Sequence, residues 1–181
     1  VVVHAAARFS PWGSPAQFRQ QNVDTTAQVI DFCRRAGHPR LLLVSSTAVF
    51  YREAHQYDLD EDSPIGPAFL NEYARSKAAA ERLLAGYEGP SCILRPRAVF
   101  GPGDTVLLPR LPAAARRGGV PLLASPGGPP QTDLLPTDTP LAYLLRAAPA
   151  PQPPPAHNPP TPHARHRPAP RPPLPAPRPR P

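Results

Sequence analysis

The distribution of proline limits what each part of this 181-residue chain can form. Sixteen of the 33 residues from 149 to 181 are proline, and the 148 residues before them contain sixteen more. Proline lacks a backbone N–H and fixes φ, so it is excluded from helix interiors and central strands. We therefore predict a folded domain over residues 1–148 and a disordered Pro/Arg-rich tail over residues 149–181.

Charge is divided in the same way. The tail contains five arginines and no acidic residue, so it carries five of the seven formal positive charges. The sequence pI of about 10.2 is therefore mostly a property of the tail and gives the folded domain no nucleic-acid signature. We predict that nucleic acid is not a partner.

Several other classes of protein are excluded by sequence. No apolar run approaches the ~20 residues that cross a bilayer, and the first residues lack the basic start of a signal peptide. Cys33 and Cys92 have no C-x-x-C partner, so neither a disulfide framework nor a metal site is predicted. These features favour a cytoplasmic protein without a membrane segment.

Strand and helix patterns alternate along the first region. The predicted strands are short apolar runs at residues 1–4, 40–45 and 91–94. The predicted helices have apolar residues at helical spacing and cover 16–36 and 69–87. Weaker patterns predict a helix over 106–117, a strand over 120–124 and a helix over 140–148. Alternation without hairpin turns is typical of an α/β fold with a parallel sheet.

Tyr73 and Lys77 are candidates for chemistry. They are four residues apart, so they share one helix face, and Lys77 is the only lysine in the chain. A nearby ammonium lowers the pKa of a phenol from about 10, which makes tyrosine a usable acid or base. Ser45, Ser46 and Thr47 follow the second strand, at the sheet edge where α/β proteins bind ligands. The same spacing also occurs on solvated helix faces, so the pair alone does not establish a site.

Five motifs in order resemble the extended short-chain dehydrogenase/reductases: V-V-V-H-A-A-A, Q-N-V-D-T-T, L-L-V-S-S-T-A-V-F, N-E-Y-A-R-S-K and I-L-R-P-R-A-V-F-G-P-G-D. The chain is most similar to the NAD-dependent epimerase/dehydratase and 3β-hydroxysteroid dehydrogenase-like branch. The resemblance covers Val1 to about Asp138 and implies the C-terminal half of a partial Rossmann-like, doubly wound parallel sheet. It further implies NAD or NADP as cofactor, hydride transfer at a hydroxyl or ketone carbon of a small molecule, and leaves a homodimer open.

The resemblance also implies roles for individual residues. Tyr73 matches the catalytic acid/base, and Ser46 matches the hydroxyl that orients the substrate. Lys77 matches the lysine that holds the nicotinamide ribose and lowers the pKa of the tyrosine. Asn22 matches an asparagine that supports the site and completes the predicted catalytic set. The predicted cofactor-binding residues, besides Tyr73 and Lys77, are His4, Ala5, Ala6, Arg95 and Pro96.

The chain departs from the family pattern where phosphates would bind. The sequence contains no G-x-x-G-x-x-G, a turn that the family carries upstream of V-V-V-H together with the residue that selects NAD or NADP. We therefore expect the chain by itself to be an inactive fragment that binds neither cofactor measurably. A shifted reading frame or a genuine disordered arm would each explain the tail.

Three functions stay open at this point. The S-P-W-G and S-S-T-A-V-F-Y-R segments favour a 3β-hydroxysteroid or β-hydroxy acid dehydrogenase-like activity. A sugar-nucleotide epimerase or dehydratase is the first alternative. An alternative of another class is a non-catalytic chain whose basic tail binds acidic partners, with a strong dependence on salt.

The tail generates a testable prediction. Residues 149–181 contain too few apolar side chains to offset the entropy of ordering them, so their amides should exchange at the rate of an unfolded chain. Hydrogen exchange of the isolated chain, followed by mass spectrometry, measures this. Slow exchange across the tail would contradict the prediction.

Overall fold

The computed structural model describes residues 1–10, 12–54, 56, 58–105, 108–116 and 134–149. The strand expected at 120–124 and the tail beyond residue 149 lie outside these residues. The first half contains β1 (Val2–His4), α1 (Pro15–Phe18), a π-helical turn (Arg19–Asp24), α2 (Thr25–Arg35), β2 (Leu41–Val44) and a 3₁₀ turn (Thr47–Phe50). The second half contains α3 (Glu72–Leu84), β3 (Ser91–Leu94), β4 (Ala98–Phe100), α4 (Arg110–Arg116), β5 (Leu134–Pro136) and α5 (Asp138–Ala147).

Three strands form a parallel sheet in the order β1–β2–β3, which confirms the predicted α/β architecture. Val2 pairs with Leu41, and Leu41 pairs with Ser91, so the three strands are in step. Because the strands are parallel, their carboxyl ends meet at the same edge of the sheet. Each strand lies within two residues of its predicted position.

The first long helical segment runs without interruption from α1 through the π-helical turn to α2. A capping box starts it: Gln17 N donates to Ser14 Oγ at 3.3 Å, and Ser14 N donates to Gln17 Oε1 at 3.0 Å. Gly37, at a φ of +80°, follows its end, a conformation that favours glycine. Start and end agree with the sequence prediction, whereas the π-helical turn was not predicted.

The main core lies between the sheet and the two helices α2 and α3. Its buried members come from α2, β2, α3 and the segment after α3: Ile30, Cys33, Leu41, Leu43, Ala80, Leu84 and Tyr87. Tyr87 lies at the end of this core near the start of β2, where its hydroxyl donates to Pro39 O at 2.5 Å.

A second, two-stranded parallel sheet joins β4 to β5, and it was not predicted. Thr137, which follows β5, donates to Phe100 O from both its backbone N and its Oγ1, each at 2.9 Å. The helix expected over 106–117 begins at Arg110, and the one expected over 140–148 begins at Asp138. In the described part of the chain, no helix has the length and apolar character needed to cross a membrane.

The core position of Leu43 generates the second prediction. Leu43 is 2% exposed, so Leu43→Ala should lower the free energy of unfolding by about 2–5 kcal/mol through lost burial and a cavity. Urea denaturation of the chain measures the change. Val3→Ala is the matched control because Val3, in the neighbouring strand, is 48% exposed and should cost well under half as much.

Candidate active site

The predicted site residues gather at the carboxyl edge of the three-stranded sheet. His4 ends β1, Ser46 follows β2, and Arg95 and Pro96 follow β3. Thr47 N donates to Pro96 O at 3.2 Å, which ties the segments after β2 and β3 together. The side chains of Ala5 and Ala6, beyond β1, are exposed at this edge.

Ser46 has two local roles. It is extended and caps the 3₁₀ turn, because its Oγ accepts a hydrogen bond from Ala48 N at 3.2 Å. Its side chain also lies close enough to Tyr73, in the first turn of α3, to lower the pKa of the phenol. Asn71 fixes the start of that helix by accepting from Ala74 N at 2.8 Å. The structure thus brings the predicted Ser46 and Tyr73 side chains close together at the sheet edge.

The pKa of the Tyr73 phenol differs from the expectation. Burial raises the pKa above its usual value, and the nearby Ser46 side chain acts in the opposite direction. The expected lowering by Lys77 is therefore not found in the chain alone. Tyr73 remains a protonated phenol at neutral pH and can donate a proton.

Lys77 is buried one turn along α3, with 4% of its surface exposed. Its Nζ donates to Val44 O, at the end of β2, at 2.7 Å. Burial lowers the pKa of Lys77 to about 8, whereas the charge of Glu81 raises it. Since an ammonium has three donors, this bond leaves hydrogens for a ligand at the sheet edge.

Glu81 was missed in the sequence, although it follows Lys77 by one more helical turn. Arg95 donates to Glu81 from Nε at 3.0 Å and from Nη2 at 2.9 Å, and both side chains are largely buried. The guanidinium also lies over the Phe50 ring, 5.0 Å from its centroid. Arg95, predicted to bind the cofactor, therefore has its charge engaged by Glu81 and positions the segment after β3.

Asn22 lies in the π-helical turn and is almost completely buried. Arg8 N donates to its Oδ1 at 2.6 Å, and its Nδ2 donates to Ser76 Oγ at 2.8 Å. These bonds join the loop after β1 to α3. Asn22 was predicted as a member of the catalytic set. In the structure its amide positions the loop after β1 against α3.

His4 is connected to the same network through Thr26. The Thr26 hydroxyl donates to Asn22 O at 2.6 Å, so His4 Nε2, 3.0 Å from Thr26 Oγ1, is the donor in that pair. Burial, followed by the charge of Lys77, lowers the pKa of His4. The imidazole is therefore neutral and adds no second cation next to Lys77.

Comparison with known proteins gives the same picture. A sequence model described as the NAD-dependent epimerase/dehydratase family matches residues 1–138. A 2-alkyl-3-oxoalkanoate reductase of Stenotrophomonas maltophilia (strain K279a) is 41% identical over 122 residues, which are 65% of this chain and 37% of the relative. A 3beta-hydroxysteroid-dehydrogenase/decarboxylase, isoform 1, of Arabidopsis thaliana is 37% identical over 123 residues, 65% of this chain and 28% of the relative.

A solved structure is also similar. The Bordetella bronchiseptica enzyme WbmG, in complex with NAD and UDP, has a TM-score of 0.68 and 25% identity, covering 81% of this chain and 45% of that one. The chain thus spans about a third of the length of the curated relatives and under half of the solved structure. The fold and the family pattern agree along the region that holds Ser46, Tyr73 and Lys77.

The charge of Glu81 generates the third prediction. In Glu81→Gln the pKa of Lys77 should fall below its value of about 8, because a nearby negative charge is lost. Isotope-labelled lysine gives one side-chain NMR signal to titrate, since Lys77 is the only lysine. Glu72→Gln, in the same helix but paired with the exposed Arg75 at 3.2 Å, is the matched control.

This test needs a second variant, because Glu81→Gln leaves the buried Arg95 without its carboxylate partner. The double variant Glu81→Gln/Arg95→Leu removes both charges and should also lower the pKa of Lys77. An unchanged titration of Lys77 in both variants would show that Glu81 does not act on it.

Proposed function

The chain belongs to the NAD-dependent epimerase/dehydratase family, and from that premise we propose that it carries the substrate side of an NAD(P)-dependent oxidoreductase site. The reaction is hydride transfer at a hydroxyl or ketone carbon of a small molecule. The observation that carries the proposal is the proximity of the Ser46 side chain to Tyr73, with Lys77 one turn away on the same helix.

The residues present fit one end of the cofactor. The free hydrogens of the Lys77 ammonium suit the hydroxyls of the nicotinamide ribose, and Ala5 and Ala6 leave room beside them. Ser45 Oγ, buried near this edge, lacks a hydrogen-bond partner among the described residues, as expected next to a ligand site. The phosphate-binding glycine turn is not among these 181 residues, so the fit concerns the nicotinamide end only.

Ser46 and Tyr73 present two hydroxyls to a single carbonyl oxygen. When bound, the reduced cofactor supplies the hydride that the carbonyl carbon accepts. Tyr73, whose pKa is raised by burial, donates its proton to the carbonyl oxygen, and Ser46 holds that oxygen in place. A protonated Tyr73 favours this direction, the reduction of a ketone to an alcohol.

The proposed substrate is a β-keto acid or ketosteroid-like molecule, or the corresponding alcohol. The curated relatives named as reductase and hydroxysteroid dehydrogenase are more similar in sequence than the solved structure that holds UDP. A sugar-nucleotide substrate is the second candidate, favoured by that structural likeness alone. A role of the basic tail with acidic partners, and a homodimer, stay predictions.

Tyr73→Phe tests the proposed role in proton transfer. The chain is assayed after fusion to the glycine-turn half of the Stenotrophomonas reductase, with NADH or NADPH and a β-keto acid. The variant should lower kcat by about 10²–10⁴-fold and leave cofactor affinity nearly unchanged, because only the proton donor is lost.

Tyr51→Phe is the matched control for this assay. Tyr51 lies close to the site, where its hydroxyl pairs with Thr47 Oγ1 at 3.0 Å, but it has no proposed part in the reaction. Near-normal turnover in Tyr73→Phe, or an equal loss of turnover in Tyr51→Phe, would contradict the role of Tyr73 as proton donor. Turnover of a UDP-sugar but of no keto acid would favour the second candidate.

A further inference from the structure

The loop between β1 and α1 places an aromatic ring against Tyr73. The structure describes this loop, residues 5–14, at every position except 11. The Phe9 ring meets the Tyr73 ring edge to face, with 5.3 Å between centroids. Phe9 is nevertheless 63% exposed. An apolar ring next to the proton donor, with most of its surface open, can be covered by an apolar group of a bound molecule.

Phe9 is held in this position by the residue before it. Asn22 fixes both backbone groups of Arg8: Arg8 N donates to its Oδ1 at 2.6 Å, and its Nδ2 donates to Arg8 O at 3.3 Å. Arg8 Nη2 then donates to Trp12 O at 3.1 Å, which closes the loop on itself. The place of the Phe9 ring beside Tyr73 is therefore built into the fold.

The surroundings of Phe9 suit an apolar group better than a phosphate. Arg8, the cation next to it in the chain, is directed to Trp12 O and lies over the Phe18 ring at 5.5 Å. Trp12, three residues further along the loop, is itself 80% exposed. The two large exposed side chains of this loop, Phe9 and Trp12, are aromatic, and its one charged side chain is turned inward.

We propose that Phe9 is a specificity-determining residue, which covers the alkyl or aryl group attached to the carbonyl carbon of the substrate. The proposal rests on the proposed function, because it takes Tyr73 as the group that meets the carbonyl oxygen. Lengthening the alkyl group should strengthen binding for as long as the added carbons lie on the Phe9 ring.

Binding of a ketone series to the 181-residue chain tests this without any turnover. Saturation-transfer NMR gives the dissociation constants of butanone, hexan-2-one and octan-2-one, with UDP-glucose as the polar ligand. Affinity should rise with chain length, by up to about fourfold per added CH₂ group where burial is complete. In Phe9→Ala the rise should shrink to less than about half of that per group.

Phe32→Ala is the matched control. Phe32 is 55% exposed near the end of α2, away from the carboxyl edge of the sheet, and its replacement should leave the series unchanged. The proposal is overturned if no ketone binds, if Phe9→Ala keeps the full dependence on chain length, if Phe32→Ala removes it equally, or if UDP-glucose binds more tightly than octan-2-one.

The two proposals fail in different ways. Chain-length-dependent binding through Phe9, without turnover of any ketone by the fusion protein, would contradict the proposed function. The contact between Phe9 and the alkyl group would stand. Turnover that depends on Tyr73, with a chain-length dependence that Phe9→Ala does not alter, would contradict the proposed role of Phe9. The proposed function would stand.

Discussion

The parallel pairing of β2 with strands on both sides is the constraint on which the rest of the structure depends. Leu41, Leu42 and Leu43 are almost completely buried, and the register of the sheet fixes where their strand ends. Beyond that end, Val44 O receives the Lys77 ammonium and Ser46 meets Tyr73. A slip of one residue would move the end of β2 relative to α3 and remove both contacts, so the register of the sheet also fixes the site.

The charge at the site depends on a balance around Lys77. Burial lowers the pKa of Lys77 to about 8, and the charge of Glu81 raises it, so Lys77 remains an ammonium at neutral pH. Glu81 is in turn held by the bidentate pair with Arg95, and His4 is kept neutral. Because the pKa of Lys77 in the folded chain is below its usual 10.5, its burial costs stability below pH 8, and that cost falls as pH rises from 8 towards 10.5.

Local sequence signals were sufficient for the three-stranded sheet and its helices, and insufficient for the second sheet, the π-helical turn and the side-chain partners. Ser14 and Gly37 mark the ends of the first helical segment through their own backbone preferences, and the strand β3 was predicted at its observed bounds. The engagement of Arg95 by Glu81 depends on how α3 packs beside β3, which no short window of sequence contains. For the same reason the family pattern implied a lowered pKa for Tyr73, whereas its burial in this fold raises it.

Asn22 links the proposed proton donor, Tyr73, to the proposed specificity residue, Phe9. Its carboxamide offers an acceptor and two donors on one short side chain, and it uses them on Arg8 and on Ser76. Ser76 Oγ donates to Tyr73 O at 2.8 Å, so one amide sets both the backbone before Phe9 and the backbone of Tyr73. A leucine at this position would lose all of these hydrogen bonds, and an aspartate would lose the two that the amide nitrogen donates. The π-helical turn around Asn22 belongs to this arrangement, since such turns frequently occur where a helix serves a site.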